Sequence, residues 1–387
     1  MNKWYKFLLL ITILSCCMVN YAINIKVRLL SEYEPTSIVV STISGKYNLI
    51  CDNNRIAESL ETGNAVQLSY YEGKIKVERG IELIGTFHEV EFIGAKYNNV
   101  FSLKGDILPK ERVYEENLKV NIIGKSLLLV NNINLEKYVA GVVQSEVFGS
   151  STDVEFFKIQ AIASRTYCLA NLNRHIRQRF NVCDAVHCQS YKGRCTQPDI
   201  LRATYETFND VIVDSANKLI SPAYHSNSGG MTESAGNLWQ YDIPYLQSKT
   251  DSFSIGARNY EWDKILPKRL WIDYFVQKYG DRYARDGEYQ QAILNWSQPV
   301  RQSHWVVGGD TILTKEIRSY FKLRSAFFSI STQGDNVYLK GKGYGHGVGL
   351  SQEGAIEMVK QGYSCDEILC FYFNNVRVIK YTEIIDL

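Results

Sequence analysis

From residue 23 to about residue 132 apolar and polar residues alternate in short runs, and at Leu135 the alternation stops. This change of period constrains the fold more than any other feature of the chain. NIKVRLL, TSIVVSTISGKYNLI, AVQLSYYEGKIKVE, VFSLKGD and LKVNIIGKSLLLVNNI make about every second residue apolar, the pattern of half-buried strands. Ser-Gly, Glu-Gly and Lys-Gly breaks predict β-hairpins, Gly124-Lys125 among their turns. From Leu135 the period becomes helical: LEKYVAGVVQSEV sets Leu135, Val139, Val142 and Val143 on one stripe, with Val147 near its end. Thr152, with Glu155 three residues on, predicts a capped start for a second helix. VEFFKIQAIASRTYCLANLNRH then runs without Gly or Pro, so this helix is long and central, with Phe156, Ile159, Ala163, Thr166 and Ala170 facing inward. The expectation is an α+β fold: a β-rich accessory region over residues 24–132, then a mixed helical and β core over residues 133–387 around the long helix. Residues 255–315 read as a helical insertion in that core.

At 387 residues the chain is too long for one small core, and 45% hydrophobic with 22% charged residues excludes a disordered or multi-span membrane protein. Lys3 and Lys6 carry the net charge of +2, and beyond them the chain is balanced, which gives no support for nucleic-acid binding. Those two lysines precede an apolar run over residues 7–19 and a step of small residues, so residues 1–23 read as an export signal or an uncleaved N-terminal membrane anchor. The protein is then exported to the periplasm or cell envelope, soluble or held at its N-terminus.

Seven cysteines lie beyond that leader, an odd number that cannot all pair within the chain. Cys183, His187 and Cys188 place three soft ligands close together, and His175 or Cys195 can supply a fourth, as a structural Zn2+ site needs. A Cys183–Cys188 or Cys188–Cys195 disulfide is the alternative in an oxidising compartment.

Glu146, near a helix end and ahead of small polar residues, is a candidate proton donor to a leaving-group oxygen, although no second carboxylate stands at a fixed distance as a hydrolytic glycosidase needs. Gln160 and Arg165 lie in the otherwise apolar long helix and need partners if buried. GKGYGHGVGLSQEGA has neither phosphate-loop nor dinucleotide spacing, so no organic cofactor is expected. Its glycines allow a ligand close to the backbone around His346, and Gln352 opens the next helix. In AYHSNSGGMTES, Tyr224, Ser226, Ser228 and the Gly229-Gly230 amides offer a polar rim. Ser228 with His225 or His346 suggests a hydrolytic triad, but the nucleophile-elbow context is missing.

LEKYVAGVVQSEV, FFKIQAIASRTYCLA, VCDAVHCQSYKG, YHSNSGGMTES and GYGHGVGLSQEGA, in that order, resemble the sporulation stage II protein D family, which also includes amidase-enhancer domains. The resemblance implies a lytic transglycosylase with a glycan-binding groove, acting on peptidoglycan strands whose stem peptides an amidase has removed. It puts the family's catalytic glutamate on Glu146, with Val147-Phe148 replacing the customary Met-Pro. It puts the family's helix Gln and Arg on Gln160 and Arg165, and its loops on residues 226–230 and 345–349. By the same resemblance Cys183, His187, Cys188 and His175 become zinc ligands. Tyr191, Tyr224, Ser226 and the His346 loop become candidates for steadying the transition state.

The implied chemistry also accounts for the missing second carboxylate, because the sugar's own C6 hydroxyl replaces water as nucleophile. A glycan-binding protein that stimulates a cell-wall amidase without cutting is the other function the resemblance implies.

Overall fold

The computed structural model describes residues 23–385 apart from 57, 58, 96, 97, 148 and 240. The leader and Phe148 therefore lie outside the described residues. Among the described residues no helix is long and apolar enough to cross a membrane. The fold is α+β, with β structure up to Asn134 and helices interspersed with short strands after it. The chain forms two compact units: residues up to Gly141 with Leu172–Arg194, and Val142–Asn171 with Cys195–Leu387.

In the first unit the period-two pattern becomes an eight-stranded and a six-stranded sheet. Asn24–Leu29 and Ser37–Ser44 bury every second residue, as the sequence predicts. Tyr47, Phe92, Val120 and Leu129 of the larger sheet and Val40, Leu68, Val77 and Phe101 of the smaller are all buried. The rings of Tyr47 and Phe101 meet edge-on at 6.1 Å. Gly73 and Gly124 do turn hairpins, pairing Tyr71 with Lys74 and Ile123 with Ser126. The Ser44-Gly45 break does not: Ser37–Ser44 belongs to the six-stranded sheet and Lys46–Cys51 to the eight-stranded one. Gly45 bends at φ +80° while Asn99 Oδ1 accepts the Lys46 N–H at 3.0 Å, so a side-chain acceptor 53 positions away redirects the strand. Val182–Cys183 pairs in parallel with Val27 and Arg28, which ties the cysteine-rich loop to this unit.

The second unit is organised by the helix Val154–Ala170, buried on nearly every side from Phe156 to Leu169. Its N-cap is Asp153 rather than Thr152: the Asp153 carboxylate accepts the Glu155 N–H at 2.9 Å. The helix stops at Asn171, whose side-chain amide donates to the Tyr167 carbonyl at 2.8 Å, so it is shorter than the Gly- and Pro-free run and Ala170 ends up exposed. Thr166 Oγ accepts the Ile212 N–H at 2.9 Å and pins the strand Asp210–Asp214 to the helix. The segment read as helical carries strands too: Glu261–Pro267 pairs with Asn336–Lys342, and His304–Val307 with Asp310–Leu313. Trp271, Tyr274, Phe275, Tyr283, Trp305 and Phe321 pack into an aromatic core there.

Candidate functional site

Two glycine-rich loops more than a hundred positions apart are laced together in the second unit. Tyr224 and His225 pair in parallel with Leu350 and Ser351, and bridges join Asn227 to Tyr344 and Glu233 to Val348. The lacing needs glycine: Gly229 has φ +73°, and a Cβ there would come within 2.8 Å of the Lys342 backbone. Beneath the loops Ser228 Oγ donates to Asp251 Oδ2 at 2.7 Å and shares a hydrogen bond with Ser254 Oγ at 2.7 Å, while the Tyr372 hydroxyl donates to Asp251 Oδ1 at 3.1 Å. Burial raises the Asp251 carboxyl against those bonds. Asn227 Nδ2 donates to Glu353 Oε2 at 2.7 Å, and Asn259 Nδ2 to Ser226 Oγ at 3.2 Å. Ser228 is fully buried and its hydroxyl is committed to Asp251, so no Ser-His-acid triad forms.

His346 Nδ1 accepts the Val348 N–H at 3.0 Å, which leaves the proton on Nε2. Burial, and then the Arg318 and Arg301 charges, push its imidazolium down to about 4. His225 uses Nδ1–H on the Val348 carbonyl at 3.1 Å, and burial holds it well below the usual histidine range. The two rings are 5.5 Å apart and Trp239 stands 5.9 Å from His346, so the loops present neutral imidazole beside an indole.

Arg301 is not legible in the sequence. It donates Nη2 to the Ser228 carbonyl at 2.6 Å and Nε to the Met231 carbonyl at 3.0 Å. A Cβ at Gly347 would come within 2.7 Å of its Nη1, so glycine there makes room for the guanidinium. Arg301 thus braces one loop against the other from a segment with no periodic pattern to advertise it.

Glu146 is half-buried in the last turn of the helix Leu135–Val147. Two residues before it Gln144 Oε1 accepts the Thr196 N–H at 2.7 Å, which fixes that helix end. Gln160 is fully buried; its Oε1 accepts Gln352 Nε2 at 3.3 Å, joining the long helix to the second loop. Arg165 is fully buried and donates to the Thr204 and Asp210 carbonyls at 3.1 Å each. Tyr191 lies in the first unit, fully buried, with its ring 5.1 Å from Tyr138 and its hydroxyl on Asn131 Oδ1 at 3.4 Å. As placed, Gln160, Arg165, Tyr191, Ser228 and Gly229 offer no surface to a ligand, and the four side chains among them act on their surroundings instead. Tyr224, Ser226, Gly230, His346 and Gln352 keep partial exposure.

In the first unit the ligand atoms of His175, Cys183, His187 and Cys188 all lie within 4.8 Å of one another. Cys188 Sγ is 3.4 Å from His175 Nε2, and both sulfurs are 3.7 Å from His187 Nδ1. Tetrahedral zinc with bonds of about 2.3 Å to sulfur and 2.0 Å to nitrogen spaces its ligands about 3.6 Å apart, so the donor set fits such an ion. His175 Nδ1–H donates to Gln178 Oε1 at 3.0 Å, which leaves Nε2 as the ligand atom. Hydrogen bonding from Cys188, the Ala185 amide and His187 holds the Cys183 thiol well below the usual thiol range, while Cys188 is raised in return. Neither disulfide forms, since all seven described cysteines are free, and Cys195 Sγ turns to the Gln197 carbonyl at 3.7 Å.

The family model described as Stage II sporulation protein matches residues 124–213. Stage II sporulation protein D of Bacillus subtilis (strain 168) is 31% identical over 270 residues, covering 64% of this chain and 75% of that protein. Its namesake in Bacillus amyloliquefaciens is 33% identical over 274 residues, with the same coverage. The chain belongs to the stage II sporulation protein D family. An amidase enhancer of Bacillus subtilis (strain 168) is also similar, 22% identical over 290 residues, covering 62% of this chain and 40% of that protein. The span matched by the family model holds Glu146, Gln160, Arg165 and the Cys/His cluster. The glycine-rich loops lie beyond it, and the Gln160–Gln352 hydrogen bond attaches the second of them to the family helix.

Proposed function

We propose that this protein is a peptidoglycan lytic transglycosylase that cuts the bond between N-acetylmuramic acid and N-acetylglucosamine in peptide-stripped strands. The observation that carries the reading is Glu146: the family's S-E motif puts a half-buried carboxyl in the last turn of the helix Leu135–Val147, whose residues from Val142 on belong to the unit that also holds the laced loops. Glu146 donates its proton to the glycosidic oxygen as the C1–O bond breaks. As a carboxylate it then takes the proton of the muramic acid C6 hydroxyl while that oxygen bonds to C1. The proton ends on the leaving sugar, the product ends in a 1,6-anhydro ring, and no water is consumed. Neutral His346, Tyr224, Ser226 and Gln352 line the sugar path, and the buried Gln160, Arg165 and Ser228 hold the elements that carry them.

The protein works in the cell envelope after export. His175, Cys183, His187 and Cys188 would hold Zn2+, which would supply a structural tie for the loop over residues 172–194, since four protein ligands leave no position for water.

A second reading, a glycan-binding stimulator of a cell-wall amidase, is favoured by the similarity to an amidase enhancer. Purified protein and its Glu146→Gln variant, incubated with amidase-stripped strands, separate the two. The expected result is anhydro ends from the unmutated protein and a loss of roughly 100-fold or more in rate in a folded Glu146→Gln. Amidase stimulation without anhydro ends from either protein would give the second reading the function.

A further inference from the structure

The first unit carries a groove of about 1050 Å³ across the face of its eight-stranded sheet that points away from the buried Tyr47, Val120 and Leu129. Strand alternation puts Lys26, Asn132 and Asn117 on that face, in register on neighbouring strands. Residues 176–181 form a wall beside the sheet, between His175 and Cys183 of the cluster. Asn181 fixes this wall: its Oδ1 accepts the Lys26 N–H at 2.7 Å and its Nδ2 donates to the Leu172 carbonyl at 2.8 Å. Charge in the groove is unbalanced. Lys119 is tied to Glu89 and Glu91 at 2.6 and 2.7 Å. Lys26, Arg177 and Arg179 also line the groove, all exposed, and make no ion pair among the described residues. Three aliphatic side chains of the same lining are exposed too, Ile93 at 37%, Ile123 at 41% and Ile176 at 60%. Cations beside exposed aliphatics suit lipid headgroups above an acyl boundary, whereas a hydrophilic polyanion gains nothing from isoleucine. The chain also enters the molecule on this face. Asn24 lines the groove, five positions after the apolar run over residues 7–19 ends at Val19. Five residues span at most about 18 Å, so an anchor ending at Val19 would keep the groove within that distance of its bilayer.

We infer that this groove is a docking surface for a bilayer bearing anionic phospholipids. Lys26, Arg177 and Arg179 take the headgroup phosphates, and Ile93, Ile123 and Ile176 reach toward the acyl boundary. The inference is independent of the glycan chemistry, and it rests on the anchor reading of residues 1–23 only for what brings the face to the membrane. Anchor and face together fix how the first unit stands on the bilayer, with the wall of the cysteine-rich loop at the lipid surface.

The test is co-sedimentation of the chain beginning at Ile23, which keeps both folded units entire, with vesicles of phosphatidylcholine or of phosphatidylglycerol. Binding to phosphatidylglycerol alone is expected, weakening as salt is raised. Each cation at a lipid surface is worth about fivefold in partitioning, so Lys26→Gln, Arg177→Gln and Arg179→Gln combined should weaken binding roughly 100-fold. All three side chains are exposed, so the variant should fold as the unmutated protein does. Ile93→Ser, Ile123→Ser and Ile176→Ser combined should abolish the binding that remains at high salt. No binding to phosphatidylglycerol, equal binding to phosphatidylcholine, or a triple charge variant that binds as before overturns the surface. Polyglutamate held as tightly as the vesicles, with the isoleucine variant indifferent, makes the groove a polyanion site and also overturns it. Full-length protein that stays with membranes while the chain from Ile23 ignores phosphatidylglycerol rejects the surface and leaves the anchor standing.

Discussion

The Cys/His cluster of the first unit and the laced loops of the second are both polar, yet they are assembled on opposite plans. The cluster takes its four ligand atoms from residues 175–188, and their lone pairs converge within 4.8 Å. The loops join residues 224–233 to residues 343–353, and their buried hydroxyls and amides find partners in the protein itself, as Ser228, Asn227 and Tyr372 do. A donor set of that kind could hold a metal ion. Those hydroxyls and amides are already satisfied, with His225 Nε2 and Arg301 Nη1 left without partners among the described residues, so the loops serve as a scaffold that sets where a few half-exposed groups stand. The two should therefore respond to different perturbations.

The largest expected effect is on the scaffold. Asp251→Ala takes the acceptor from two buried hydroxyls, those of Ser228 and Tyr372, and should cost about 4 kcal/mol in urea unfolding, each lost partner counting for about 2 kcal/mol. Metal content should be unchanged; a metal-free Asp251→Ala protein would break the contrast. Chelation is the reverse experiment. Stripping zinc held at about 100 times its dissociation constant should remove about 3 kcal/mol, with amide exchange rising over residues 172–194 and staying slow around Asp251. Equal loosening of both regions would contradict their independence. Gly229→Ala, at φ +73° and against the Lys342 backbone, should cost about 2 kcal/mol and slow glycan cleavage without touching the cluster.

The smallest effect concerns pH. The folded protein holds His346 down to about 4, below its ordinary 6.5, so the unfolded chain takes up the proton first on acidification. The stability His346 contributes is complete above pH 6.5 and is lost as pH falls from there toward 4. The raised Asp251 carboxyl works in the opposite sense, so the comparison is between the unmutated protein and His346→Gln, whose stability should fall less over that window. Identical pH profiles would place the imidazole outside the buried network.

Where residues close in sequence decide a feature, the sequence shows it. The helix Leu135–Val147 follows its 3.6-residue stripe, and the spacing of Cys183, His187 and Cys188 is enough to announce a ligand cluster. Where a distant side chain decides, the pattern misleads. Gly45 looks like a hairpin turn and becomes a crossing between sheets because Asn99 captures the next amide. Competition between neighbours explains the shift of the helix cap from Thr152 to Asp153, since both can accept and only Asp153 reaches the Glu155 amide. Arg301 is the extreme case, because its value comes from carbonyls 70 and 73 positions away. The polar stretches around Ser228 and His346 stand out as candidates in the sequence, but their lacing depends on glycine contacts that only the fold reveals.

The central claim is that cleavage consumes no water, and the oxygen at the new sugar end tests it most directly. Amidase-stripped strands would be digested by the mature protein in water enriched in heavy oxygen, and the released ends resolved by mass. The account predicts ends lighter than the hydrolysed sugar by one water and free of label, absent when Glu146→Gln replaces the unmutated protein. Labelled reducing ends would make the protein a hydrolase and contradict the account.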